Sequence, residues 1–362
     1  MRKPTALALV IGLVAAVAAV GVMPRAPRLS AQHTGDAALA ADARAAVPDP
    51  AGHRGLAVAL LENGQVRTAG LGDRNPGGQP VQPGTPFEIG SITKVLTGML
   101  LAQQVTTGAV SPDEPVGALL PELTGPAREV TLAELASHRS GLPRLPAGFS
   151  STFGMAVANY RGSDPYQADL DTLVEQVAAA ELSGRGEVAY SNMGTAVLGH
   201  AVAAATGADY ASLLRERLLD PVGMDATTLP VTPDNLPEDA SVGHGPQGRT
   251  ADPWTSHAYA PMGGVRSTPD DMELLARALL EGDAPGSDAM EPRHDAGGGT
   301  EVGLGWWIDV HGETTVTWHN GGTGGFSSMF ALDREGGRAV IVLADSTMAV
   351  DDVANTLLLE EA

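Results

Sequence analysis

Ser91 and Lys94 stand three residues apart in the stretch Phe87-Glu88-Ile89-Gly90-Ser91-Ile92-Thr93-Lys94-Val95-Leu96. Apolar residues at 92, 95, 96, 99 and 100 recur at helical spacing, which predicts a helix around and after Lys94. Residues three apart share a helix face, so the amine at 94 reaches the hydroxyl at 91. A serine hydroxyl is a weak nucleophile and needs an adjacent base. A desolvated lysine can shed its proton and serve as one, whereas an arginine cannot. Across 362 residues the chain uses lysine only at Lys3 and Lys94. An ordinary amphipathic helix, with a capping serine and a solvated lysine, shows the same local pattern.

Two further stretches carry residues suited to acyl chemistry. In Tyr190-Ser191-Asn192, an extended backbone points 190 and 192 the same way, so a phenol and an amide can face one cavity. A phenol beside an ammonium has its pKa lowered, so Tyr190 is expected to pass protons between Ser91 and a leaving group. A helix N-cap at Ser191 with a packed tyrosine is the alternative. In His319-Asn320-Gly321-Gly322-Thr323-Gly324-Gly325, glycines allow a substrate close to a strand edge, and free N–H groups there can hold an oxyanion. A plain glycine-rich turn with an exposed histidine fits as well. The remaining histidines lack metal-ligand spacing, so no metal site is expected.

The elements that must position these residues come from both chain ends. Gly55–Glu62 and Gln65–Gly72 read as a hairpin across Asn63-Gly64. Strands return at 305–310, 314–319, 325–332 and 338–344, followed by an amphipathic helix over 350–361. Between them, roughly 109–299, the text is mainly helical, with a capping box at Thr131-Leu132-Ala133-Glu134 and a polar loop over 282–300. This predicts an α+β fold: one antiparallel sheet from N- and C-terminal strands, flanked by helices, with a mainly helical insertion. A cleft at the junction is the natural site.

Formal net charge is −21, which repels phosphate backbones and argues against a nucleic-acid partner. The absence of cysteine excludes thiol nucleophiles, disulfides and thiolate metal sites. Arg2-Lys3 precedes nineteen uncharged residues, Thr5 to Met23, which read as a targeting segment over 1–31. A cleaved signal and a retained membrane anchor both fit, and either puts the rest of the chain outside the cytoplasm. Residues 32–52, rich in Ala and Asp, read as a flexible linker before a domain over 53–362.

Taken together and in order, Ser91-x-x-Lys94, Tyr190-Ser191-Asn192 and His319-Asn320-Gly321 resemble the serine β-lactamase and D-Ala-D-Ala peptidase superfamily. The likeness is to the branch with class C β-lactamases, D-alanyl-D-alanine carboxypeptidases and related esterases. It runs from about Gly55 to the C-terminus and includes Leu135–Pro143, Tyr210–Met224 and Gly263–Leu275. The resemblance implies an acyl-enzyme on Ser91, activation by Lys94, proton relay by Tyr190 and an amide contact from Asn192. It further implies an oxyanion hole from the backbone N–H groups of Ser91 and Gly322, substrate contacts along His319-Asn320-Gly321, and no cofactor. The implied substrates are D-Ala-terminated peptides or β-lactams, with small esters or amides as the alternative and a non-catalytic binding protein as a further one. His319 replaces the commoner lysine, and Asn320 and Gly322 stand where many members carry carboxylate-binding hydroxyls. With an ordinary pKa of about 6.5, His319 is expected to attract substrate carboxylates only in acid.

Overall fold

The order β1-β3-β2-β11-β10-β9-β8-β7-β6 describes one nine-stranded antiparallel sheet in this computed structural model, which describes residues 26–146 and 162–359. The strands are β1 His33–Gly35, β2 Gly55–Glu62, β3 Gln65–Gly72, β6 His294–Gly297, β7 Thr300–Val302, β8 Trp307–His311, β9 Thr314–Gly322, β10 Ser327–Asp333 and β11 Arg338–Ala344. A separate two-stranded pair joins β4 Phe87–Glu88 to β5 Arg266–Ser267. The β2–β3 hairpin turns on Asn63, which adopts φ 52. Its close against β11, with Leu60 opposite Val340, brings the two chain ends together as expected.

Strand periodicity divides the sheet between two cores. Ala57, Ala59, Leu61, Ile341 and Leu343 face one cluster, and Leu56, Val58, Leu60, Val340 and Val342 face the other. Both faces are covered, so β2 is buried along seven of its eight residues. The long helices are α1 Ala37–Ala46, α2 Thr93–Thr106, α3 Leu170–Ala178, α4 Asn192–Thr206, α5 Pro269–Glu281 and α6 Asp351–Leu359. Helices α1 and α6 supply Leu39, Val353 and Leu358 to one cluster; α2 and α5 supply Leu96 and Leu275 to the other.

Three expectations need correction. Residues 32–52 are no linker: Asp36 caps α1 by accepting from Leu39 N at 2.7 Å, and Leu39, Ala43 and Val47 are buried. Their four-residue spacing makes an apolar stripe, which the small, acidic composition conceals. The boundary at 31 also falls within ordered chain, since Leu29 N donates to Pro50 O at 3.0 Å. The proposed targeting segment lies outside the described residues up to 25. Next, the polar loop over 282–300 contains the edge strand β6, whose exposure alternates as a half-covered strand requires. Finally, the insertion ends earlier than 299, because α5 packs on β2 and β11 and belongs to the sheet layer. Among the described residues, no helix is long and apolar enough to cross a membrane.

Candidate active site

Ser91 lies in a single 3₁₀ turn, Gly90–Ile92, that feeds α2. Gly90 holds φ +51, and a Cβ there would stand 2.7 Å from Gly322 N. Glycine is therefore required for the Ser91 turn to lie against the end of β9. Gly321 is required for the same close approach, because its Cβ would meet Ile89 O at 2.1 Å. Ser328 Oγ, from β10, pins that carbonyl at 2.9 Å. Thr323 N donates to Phe326 O at 3.0 Å, and the alternation of an antiparallel ladder then turns Gly322 N–H away from β10, toward Gly90 and Ser91.

Lys94 Nζ is 3.0 Å from Ser91 Oγ and 2.6 Å from Met262 O. At 1 % exposure, burial drives its pKa well below the ordinary lysine range, and the charge of Arg144 lowers it further. A neutral amine in this position donates one N–H to Met262 O and accepts the Ser91 proton on its lone pair. No carboxylate is paired with it among the described residues, which a charged buried ammonium would require. A neutral amine so placed is chemically able to act as a base toward Ser91.

Tyr190 lies with its ring 4.9 Å from Lys94 Nζ and 5.3 Å from the guanidinium carbon of Arg144. The expected lowering of its pKa is not found. Burial pushes the phenol up, which hydrogen bonding to Ser91 only partly opposes. The capping reading of the Tyr190-Ser191-Asn192 stretch holds, and the residues on either side of the cap still reach the cleft. Ser191 caps α4, accepting from Gly194 N at 3.0 Å, while Tyr190 and Asn192 face the cleft. Asn192 Nδ2 donates to Tyr166 OH at 3.1 Å, and its buried Oδ1 is left without a partner.

His319 departs furthest from expectation. It is 1 % exposed, its Nδ1–H donates to Asn320 O at 2.6 Å, and its ring centroid is 6.1 Å from that of Tyr190. Burial pushes its pKa down to about 3. It is neutral in mild acid and offers no charge to a substrate. Asn320 does reach the cleft, but its Nδ2 donates to Asp351 Oδ1 at 2.7 Å. The strand therefore presents an amide already tied to a carboxylate.

Two lobes meet at Ser91. One, of about 510 Å³, is lined by Tyr190, Trp307, Trp318, Asn320 and Asp351. The other, of about 380 Å³, is lined by Leu145, Tyr166, Asn192, Trp254 and Met262. Arg144, Gly322 and Thr323 border both. A cavity of about 540 Å³ beside Leu279, Met290 and Ile308 contains none of the candidate residues. Beneath the cleft a buried Arg266–Glu88 pair joins β5 to β4, and Glu88 also accepts from Trp254 N at 2.9 Å.

The sequence reading missed Arg144, Tyr166, Trp254 and Trp307. Arg144 directly follows the Ser140-Gly141-Leu142-Pro143 helix stop, and its carbonyl accepts from Asn192 N at 3.2 Å. A polar residue just after a helix stop is a weak signal, and Tyr166 and Trp254 sit in loops with no periodicity at all. His138 is a further omission: its ring is 4.5 Å from that of Tyr190, and burial drives its pKa well below the ordinary histidine range.

The Beta-lactamase family model matches residues 42–362, so the chain belongs to the Beta-lactamase family. It is 27% identical over 312 residues to the D-alanyl-D-alanine-carboxypeptidase/endopeptidase AmpH of Escherichia coli (strain K12), across 78% of this chain and 76% of that one. Its fold is that of a class C beta lactamase from Rhodobacter sphaeroides, with TM-score 0.74 and 24% identity over 88% of this chain and 97% of the other. A Beta-Lactamase/D-Alanine Carboxypeptidase from Pseudomonas syringae superposes with TM-score 0.76 at 19% identity, over 89% and 98%.

Proposed function

We propose that the protein is an exported serine acyl hydrolase that works through an acyl-enzyme on Ser91. The observation that supports this most is the contact of 3.0 Å between Ser91 Oγ and the buried, unpaired amine of Lys94. Ser91 Oγ attacks the substrate carbonyl carbon while its proton passes to Lys94 Nζ. The oxyanion faces the N–H groups of Ser91 and Gly322, where two such donors supply the main electrostatic stabilisation. As the tetrahedral adduct collapses, the bond to the leaving group breaks, and Tyr190 O–H donates the proton that group needs. Lys94 restores the proton to Tyr190. Water then attacks the acyl group by the reverse sequence, freeing Ser91. Tyr190 suits the relay because its phenol stays protonated at working pH. Export rests on the uncharged run from Thr5 to Met23 behind Arg2-Lys3.

D-Ala-terminated peptides and β-lactams are the substrates suggested by the name of the Escherichia coli relative and by the family. A second reading, small esters or amides whose leaving group lacks a carboxylate, is favoured by two observations: Asn320 is bound to Asp351, and burial pushes the pKa of His319 down to about 3. Intact-mass measurement after exposure to a penicillin, and separately to an activated short-chain ester, tests both. Covalent mass on wild type, lost in Ser91→Ala, is the expected result. Equal labelling of folded Ser91→Ala protein would remove Ser91 as the nucleophile.

A further inference from the structure

We propose that Arg144 is the specificity-determining residue of this cleft, binding a carboxylate carried on the acyl portion of the substrate. The proposal rests on the acyl-hydrolase reading above and names the substrate class within it. Among the described residues that line the two lobes, Arg144 is the one exposed cation and Asp351 the one carboxylate. Arg144 makes no ion pair or side-chain hydrogen bond among the described residues. Its contact is the face of Tyr190, with the guanidinium carbon 5.3 Å from the ring centroid, an arrangement that leaves the N–H edge available.

Its placement is fixed by the same loop that carries Tyr190. Ser191 Oγ donates to Pro143 O at 2.8 Å, and Asn192 N donates to Arg144 O at 3.2 Å. The Arg144 backbone therefore stands at a set position beside the cleft rather than on a free surface loop. Tyr190 lines only the Asp351 lobe, and the leaving group must lie within reach of its proton. The acyl chain then extends into the lobe of Tyr166, Asn192 and Trp254, whose one charged neighbour is Arg144. In that lobe the orphan Oδ1 of Asn192 accepts an N–H of the acyl chain, and Arg144 receives its carboxylate by paired, charge-assisted hydrogen bonds. Asp351 repels a carboxylate on the leaving group. The preferred substrate has an anionic acyl chain and a neutral or cationic leaving group.

The experiment uses two aryl esters of one acyl length, ending in a carboxylate or in the matching carboxamide. The ratio of their kcat/KM values is measured for wild type, Arg144→Gln, Arg144→Lys and Asp351→Asn. Wild type should favour the carboxylate, and Arg144→Gln should lower the ratio by about 10- to 100-fold, the size expected for losing a hydrogen-bonded charge. Arg144→Lys should restore part of it, through KM more than kcat. The ratio is the readout because Arg144 also acts on Lys94, so a change in that amine moves both esters together. Asp351→Asn should leave the acyl-chain ratio nearly unchanged while improving esters whose leaving group is anionic. Acylation of Ser91 by both esters with the same ratio in wild type and Arg144→Gln would overturn the role of Arg144 alone. Failure of both esters to acylate Ser91 would overturn the acyl-hydrolase reading, and this proposal with it.

Discussion

The two walls of the cleft carry family motifs of equal clarity, and burial uncharges both with opposite consequences. On the helical wall, Ser91 and Lys94 keep the geometry their spacing implies, and burial tunes the amine toward the neutral form a base requires. On the strand wall, β9 ends where expected, yet burial neutralises His319 and Asp351 occupies Asn320. The same desolvation that equips one wall for catalysis strips the other of its charge. A cation for the substrate comes instead from Arg144, exposed at the rim. Motif identity fixes where side chains stand; the company they keep fixes their charge.

The sharpest way to break this contrast is Lys94→Arg, which keeps a positive charge and removes the base. Acylation rates measured by stopped-flow should fall by about 10²–10⁴, the usual contribution of a general base. Near-normal rates would mean that the helical wall also works by charge alone. A residual rate in Lys94→Arg should lack the acidic limb expected of wild type. That limb reflects protonation of Lys94 and sits well below the ordinary lysine range because the folded amine is desolvated.

Gly90→Ala tests the seam between the walls. The added Cβ would press on Gly322 N at 2.7 Å, displacing one oxyanion donor. A loss in kcat of about 10²–10³, as for removal of an oxyanion-hole donor, is expected with KM little changed. Thermal unfolding in parallel checks that the sheet survives. Wild-type kcat in a folded variant would show that β9 yields without consequence and that Gly322 N–H is not a donor.

A smaller effect should appear in acid stability. The depressed pKa of folded His319, about 3, means the unfolded chain takes up a proton below about 6.5 while the folded one does not. Its contribution is fully present above that range and is lost as pH falls toward the folded value. His138 and His53, also shifted down by burial, act in the same direction. Urea unfolding should therefore show stability dropping between neutral pH and pH 4, and less steeply in His319→Gln. An identical slope in both proteins would mean that His319 is hydrated or paired in solution.

The smallest effect is a null. Between about pH 5 and 7 the preference for carboxylate over carboxamide esters should stay flat, because burial keeps His319 uncharged there. Unaltered histidine chemistry would instead make the preference rise in acid. A rise that disappears in His319→Gln would return the carboxylate to the strand wall.

Local pattern was enough for much of this molecule. The bounds of β2, β3 and β11, the hairpin at Asn63-Gly64 and the capping box at Thr131 follow from periods of two and from backbone chemistry within a few residues. The reach from Lys94 to Ser91 is likewise a property of one helical turn. Misjudged were features whose partners lie far along the chain. α1 is a helix because the sheet buries its Leu39 face. Lys94 is tuned by burial and by Arg144, His319 is shut from water by layers the sequence does not order, and Asn320 meets Asp351 only because α6 packs back on the sheet. Sequence by itself determined which groups could react and in what order they stand. Tertiary structure decided which of them hold charge, because solvent exclusion and electrostatic neighbours are set by packing between segments that no local spacing encodes.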